Sequence, residues 1–131
     1  MALQYITKDI LSRNAGEALL DLPYDIGFYA GYDKDMAAET IENGIYGRLV
    51  MARAGTFVGC VGKMDSSGSC QIEIKKEGSN IYSSNPSFSS ATTLVDGTLS
   101  TTEFAAGDRI TFSITSASGG SGLAVTLKCK V

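Results

Sequence analysis

Three thiols, fourteen carboxylates and no imidazole define the chemistry open to this sequence. Histidine is absent from all 131 residues. That removes the commonest general base, the Ser-His and Cys-His nucleophile pairs and the His-containing zinc sites. Asp33, Asp35, Glu39 and Glu42 crowd carboxylates into one stretch, and a calcium site would need such oxygens to converge from one loop. Counted from Asp33, however, the stretch has neither the central Gly nor the closing Glu of an EF-hand, so it reads as a solvated acidic connection. Gly119-Gly120-Ser121-Gly122-Leu123 approaches the G-x-S-x-G nucleophile elbow but carries Leu123 where the second Gly belongs. With no histidine to activate Ser121, a turn is the better reading. A glycosidase pair would be drawn from Asp25, Asp33, Glu73 or Glu103, and no spacing brings two of them into one cleft. No catalysis, metal or cofactor is expected.

Cys60, Cys70 and Cys129 cannot all pair within one chain, and MALQYITKDIL meets Lys8 and Asp9 before any apolar run develops, unlike a signal peptide. Folding in a reducing cytoplasm follows as the expectation. Folding the chain back about Asp65 sets Cys60 opposite Cys70 and Val58 opposite Ile72, which makes both cysteines small core hydrophobes; a cross-strand disulfide is the alternative. No apolar run reaches the roughly 20 residues of a membrane helix. Eleven Lys+Arg against fourteen Asp+Glu, a net charge of −3, leave no positive field for nucleic acid. The acidity is concentrated before residue 50, as a solvated face or as a surface for a basic partner.

The elements that must position these groups are strands. Tyr24, Ile26, Phe28, Ala30 and Tyr32 alternate with Asp25, Gly27, Tyr29 and Gly31 after Pro23. Asp33 to Gly44 reads as a connection with one short helical turn around Met36 to Ile41. Ile45 to Arg53 and Gly55 to Met64 are β-rich, Asp65 to Ser69 is a tight loop, and Cys70 to Lys75 alternates without a break. Ile81 and Tyr82 form a short strand, Ser83 to Ala91 a Ser-rich loop whose lone Phe88 either plugs the core or is solvated, and Thr98 to Thr102 a weak strand. Arg109 to Thr115 and Leu123 to Val131 are clear strands flanking a flexible Ser116 to Gly122 loop. Among the aromatics, Phe28 and Phe112 sit at core-facing phases, leaving Tyr29, Tyr46, Phe57 and Tyr82 as candidates for exposure.

About eight short strands joined by Gly/Ser/Asn/Asp turns predict an all-β fold: an antiparallel β-sandwich, jelly-roll-like, over residues 23–131. Residues 1–22 differ in texture. Leu3, Tyr5, Ile6, Ile10 and Leu11 fit neither a clean strand nor a long helix, and Ser12 to Leu20 has room for two helical turns. This segment is read as an extended N-terminal arm that packs on its own domain or on a neighbouring chain.

PYDIGFYAGYDKD (Pro23 to Asp35), YGRLVMARAGTFVGCVGKM (Tyr46 to Met64), IEIKKEGSNIYSSNPSF (Ile72 to Phe88) and GTLSTTEFAAGDRITFSITSASGGSGLAVTLK (Gly97 to Lys128) together resemble a β-sandwich module of tailed-phage virions. The module is that of capsid decoration (cement) proteins, notably of cyanophages, and of fibre tips. The resemblance implies a non-catalytic virion structural protein, folded in the host cytoplasm and placed on the capsid surface as a homotrimer, where it clamps neighbouring major capsid protein subunits. It implies no nucleic-acid or membrane partner. A short chain from Met1 to a strand-ending Val131, with no fibre shaft, favours cement over fibre. Leu3, Tyr5, Ile6, Ile10 and Leu11 are then the expected capsid-binding arm, with β-edge addition as its mode. The rival expectation is a tail-fibre or carbohydrate-binding receptor module whose Ser83 to Ala91 and Ser116 to Gly122 loops carry specificity.

Overall fold

The computed structural model describes residues 22–131, which form an all-β, antiparallel arrangement. In chain order the strands are β1 (Ile26–Ala30), β2 (Gly44–Val50), β3 (Gly55–Lys76), β4 (Ser79–Asn80), β5 (Tyr82–Ser84), β6 (Ser87–Thr93), β7 (Thr98–Leu99), β8 (Glu103–Phe104) and β9 (Arg109–Lys130). No helix occurs among the described residues, so none there is long and apolar enough to cross a membrane.

Two 22-residue strands organise everything else. β3 and β9 pair antiparallel from Thr56↔Lys130 to Lys76↔Ile110. Past Lys76 and Ile110 the two arms stay side by side in an uneven register: Glu77 N–H donates to the Arg109 carbonyl at 2.9 Å, Tyr82 pairs with Leu99, Ser84 with Thr98 and Ser87 with Val95. Residues 56–130 are therefore one long antiparallel ribbon with its tip at 88–94. Along the other side of β9 run β1 (Ile26↔Leu127 to Ala30↔Leu123), a bridge at Thr40↔Ser121, and β2 (Gly44↔Ile114 to Val50↔Arg109), one after another.

Bending this ribbon across its middle makes two layers. The first holds β1, the C-terminal half of β9, the N-terminal half of β3, and β8; the second holds β2, the other halves of β9 and β3, and β4. β6 lies along β3 across the bend, from Lys63↔Thr93 to Gln71↔Ser87. The layers meet through their inner side chains: Phe28 of the first lies 5.1 Å from Phe112 of the second, centroid to centroid. A long ribbon wound into two such layers is the jelly-roll plan of a β-sandwich.

Period-two burial supplies the adhesive. Phe28 and Ala30 on β1, Ile110, Phe112 and Ile114 on β9, and Leu123, Val125, Leu127 and Cys129 further along it are buried, while the residues between them are exposed or half-buried. Each fully buried aliphatic or aromatic side chain contributes roughly 1.5–3 kcal/mol. No buried polar side-chain atom lacks a hydrogen-bond partner among the described residues.

The bend overturns two turn assignments at once. Asp65 to Ser69 does not reverse the chain; β3 runs straight through it, so Cys60 lies opposite Leu127, Cys70 opposite Phe88 and Ile72 opposite Ile114. Ser116 to Gly122 is likewise inside β9, directly across from Asp65 to Ser69. Ser66 Oγ and Ser121 Oγ are 2.7 Å apart, and a Cβ on Gly68 would stand 2.5 Å from the Gly119 backbone. Gly119, Gly120 and Gly122 all have positive φ. The Gly/Ser clusters serve to let two paired strands bend together without side-chain collision.

Two further expectations fail for local reasons. Ser83 to Ala91 is not a loop, because β5 and β6 occupy most of it and Phe88 is a core plug only 2% exposed. Met36 to Ile41 makes no helical turn: Met36 has φ 64°, and Ala38 bridges to Tyr32 instead.

Candidate functional site

The most distinctive surface is the outer face of the first layer. Register puts Tyr29, Ala124 and Lys63 in one row across β1, β9 and β3, and Gly27, Thr126 and Val61 in the next. Tyr29 is 58% exposed and its ring meets Tyr32 edge-on at 5.8 Å. Between Val61, Lys63, Ala124 and Thr126 on the floor and Thr93 and Leu94 on the rim is an open recess of about 450 Å³. Val95, next along the chain, is 66% exposed. Tyr29 is an exposed aromatic of the type enriched at protein interfaces, and it shares this face with Ala124, Thr126, Val61 and Lys63.

The outer face of the second layer is different. Glu73 and Lys75 pair at 3.2 Å on β3, flanked in register by Ser113 and Thr111 of β9 and by Arg48 of β2. It is an ordinary solvated face, and exposed ion pairs of this kind contribute about 0–1 kcal/mol.

The residues singled out for chemistry are accounted for one by one. Asp33 Oδ1 accepts from the N–H groups of Asp35 (2.8 Å) and Ala37 (3.0 Å), so its carboxylate shapes its own loop. Asp25 accepts from Cys129 N–H at 3.2 Å, Glu73 faces Lys75, and the Glu103 carbonyl accepts from Lys76 Nζ at 2.9 Å. Among the described residues no group of three or more His, Cys, Asp or Glu is placed to hold a metal. Ser121 shares its hydroxyl with Ser66.

All three cysteines are free and buried. Burial pushes the Cys60 thiol up to about 12, with the Asp96 carboxylate adding to the effect. Burial pushes Cys70 up to about 11 and, with Asp25 nearby, Cys129 up to about 12. Thiols held neutral this firmly are packing groups, since the thiolate is the nucleophile and the metal ligand. Two of the four aromatics that were candidates for exposure are buried: Phe57 meets Phe104 in a tilted contact at 4.8 Å, and Tyr82 donates its hydroxyl to Asp96 Oδ1 at 3.0 Å. Tyr82 is held well above the ordinary phenol range by burial, with Cys60 and Asp96 reinforcing it. Tyr46 is half-buried, and Tyr29 alone of the four is exposed.

A second feature gathers the two Ser-rich segments. Both flank the middle of β3, and Ser69, Ser87, Ser89 and Ser116 surround a hollow of about 240 Å³ floored by Cys70 and Phe88. Ser69 Oγ accepts from Ser90 N–H at 2.9 Å. The expected capsid-binding residues Leu3, Tyr5, Ile6, Ile10 and Leu11 lie outside the described residues. Sequence reasoning found Tyr29 but missed Val61, Ala124 and Thr126; the available signal was small and apolar side chains at the outward phase of two strands. Comparison with family models, curated proteins and solved structures returns no match.

Proposed function

We propose that this chain is a virion structural protein that decorates a tailed-phage capsid as a homotrimer and cements neighbouring major capsid subunits. The observation that supports it best is the first-layer outer face, where Tyr29 and Ala124 in one row and Thr126 and Val61 in the next give a surface suited to lying on another protein, while the thiols and the tyrosine of raised pKa are sealed in the core. Leu3, Tyr5, Ile6, Ile10 and Leu11 serve as a second grip on the adjacent subunit, in keeping with the sequence resemblance. Decoration then works by mass action: binding only the assembled lattice stabilises it by about 2.7 kcal/mol per site at a hundredfold excess over Kd. Three linked copies must release together.

The test is co-sedimentation of the purified chain with undecorated capsids. The double variant Tyr29→Ala, Val61→Glu should weaken binding by about tenfold or more, as loss of an interface anchor does, with no change in the urea midpoint. Undiminished binding would take the face out of the account. The hydroxyl-lined hollow at Ser69, Ser87, Ser89 and Ser116 favours the second reading, a glycan-binding receptor module. A glycan array run on the same protein separates the two.

A further inference from the structure

β1 and β2 are edge strands of different layers, and each ladders with β9 on one side alone among the described residues. They nevertheless come close together. Between them lies a cleft of about 390 Å³ whose lining includes Phe28, Tyr46 and Phe112, Gly27 and Gly47, and the charged Arg48. The Phe28 and Tyr46 rings stack at 6.4 Å and 18°, and Phe28 meets Phe112 at 5.1 Å. β1 reads IGFYA, with no charge, no proline and no bulge along it. Proteins protect uncovered edges with such devices or cover them with another segment. An extended peptide requires main-chain groups at its side and a pocket for alternate side chains; β1 and β2 ladder with β9 alone among the described residues, and the cleft sets aromatic rings beside Arg48.

We propose that the cleft is a strand-receiving site and that its occupant in the free protein is the chain's own N-terminal segment, residues 2–11. The argument for this occupant is reach. Leu22 is fixed by reciprocal main-chain bonds to Val131 (3.2 and 2.9 Å), and Tyr24 N–H donates to Cys129 C=O at 2.8 Å. The preceding chain thus enters at the head of the β1 edge. From Leu22 to Gly27 is roughly 17 Å of extended strand. Residues 12–21 span up to about 33 Å when extended, enough to bring Leu3 and Tyr5 over Phe28 and Tyr46. Tethering gives an effective concentration in the millimolar range, well above that of a second copy in dilute solution. On the capsid reading, the same segment is stowed before assembly and handed to the lattice afterwards. The stowing itself rests on the cleft and stands or falls without a capsid.

The experiment uses the full chain with a benzoylphenylalanine photo-crosslinker in place of Tyr5, in dilute solution without capsids. The expected products are cross-links to residues 27–29 or 46–49 within a single chain, in a yield independent of dilution. Cross-links elsewhere, cross-links only between chains, or none would overturn the proposal. Hydrogen exchange gives a second readout. Removing residues 2–11 should speed exchange of the outward amides of β1 and β2 by about tenfold or more while leaving the middle of β3 unchanged. Unaltered exchange would also overturn it. Because no capsid is present, failure here leaves the decoration reading intact, and failure of co-sedimentation leaves this one intact.

Discussion

The two sides of the sandwich are closed by different means. On the β3 side the ribbon folds its own tip back: β6 pairs across the bend, β8 pairs with Gly55 and Thr56, and Phe88, Phe104 and Leu94 seal the gap at 2%, 4% and 8% exposure. On the β9 side the described residues supply β1 and β2, which follow one another without pairing, and Tyr46 and Leu49 are left half-buried. The difference teaches where a fold of this kind keeps surface for others. A side closed by its own plug is spent on stability, whereas a side where β1 and β2 ladder with β9 alone among the described residues has room for an added strand.

The largest effect that would break this comparison comes from Phe88. Phe88→Ala should cost about 3–5 kcal/mol, the range for removing a buried aromatic ring, whereas Tyr46→Ala on the open side should cost under about 2 kcal/mol. Tyr46 loses a half-exposed ring and one hydrogen bond from its hydroxyl to the Glu42 carbonyl at 2.6 Å. Urea unfolding of the two variants reads both values. Equal losses would mean that the two sides are closed alike.

A subtler effect concerns the interior that both sides share. Cys60, Cys70 and Cys129 have folded values raised from 9.0 to about 12, 11 and 12. A raised acid favours its protonated form in the folded state, so this contribution is fully present below pH 9 and is lost as pH climbs from about 9 towards 12. The urea midpoint should therefore show no thiol-linked change near neutrality and decline over that alkaline window. In the same preparation the three thiols should resist a disulfide reagent at pH 8 until urea unfolds the chain. Rapid labelling of native protein would show that the layers open far more easily than this packing allows.

Much of this was legible before any coordinates. Tyr24 to Tyr32, Arg109 to Thr115 and Leu123 to Val131 alternate cleanly because each has one face in the core, and period-two burial is written into the residues themselves. The bend was not. Gly/Ser clusters show that a backbone is freed from side-chain constraint, and the same freedom serves a hairpin turn at Asp65 or a bend in a continuous ribbon. Only the partner decides, and Gly119 to Gly122 opposite Gly68 decided for the bend. Phe57 is buried although its phase made it a candidate for exposure, because the register slips between Phe57 and Gly59, where an extra residue resets the inward phase ahead of Cys60. The outer face of the first layer was half legible: Tyr29 stood out by phase within one strand, but the Gly27–Thr126–Val61 row exists only once three strands are aligned.

The central proposal, that this fold works by offering surfaces to neighbours on a capsid shell, is tested most directly by a density map of tailed-phage capsids incubated with the purified chain. The account predicts density for the two-layer body of residues 22–131 outside the shell, with Tyr29 and Val61 turned towards the underlying capsid subunits. Particles that carry no copy of this polypeptide would contradict it.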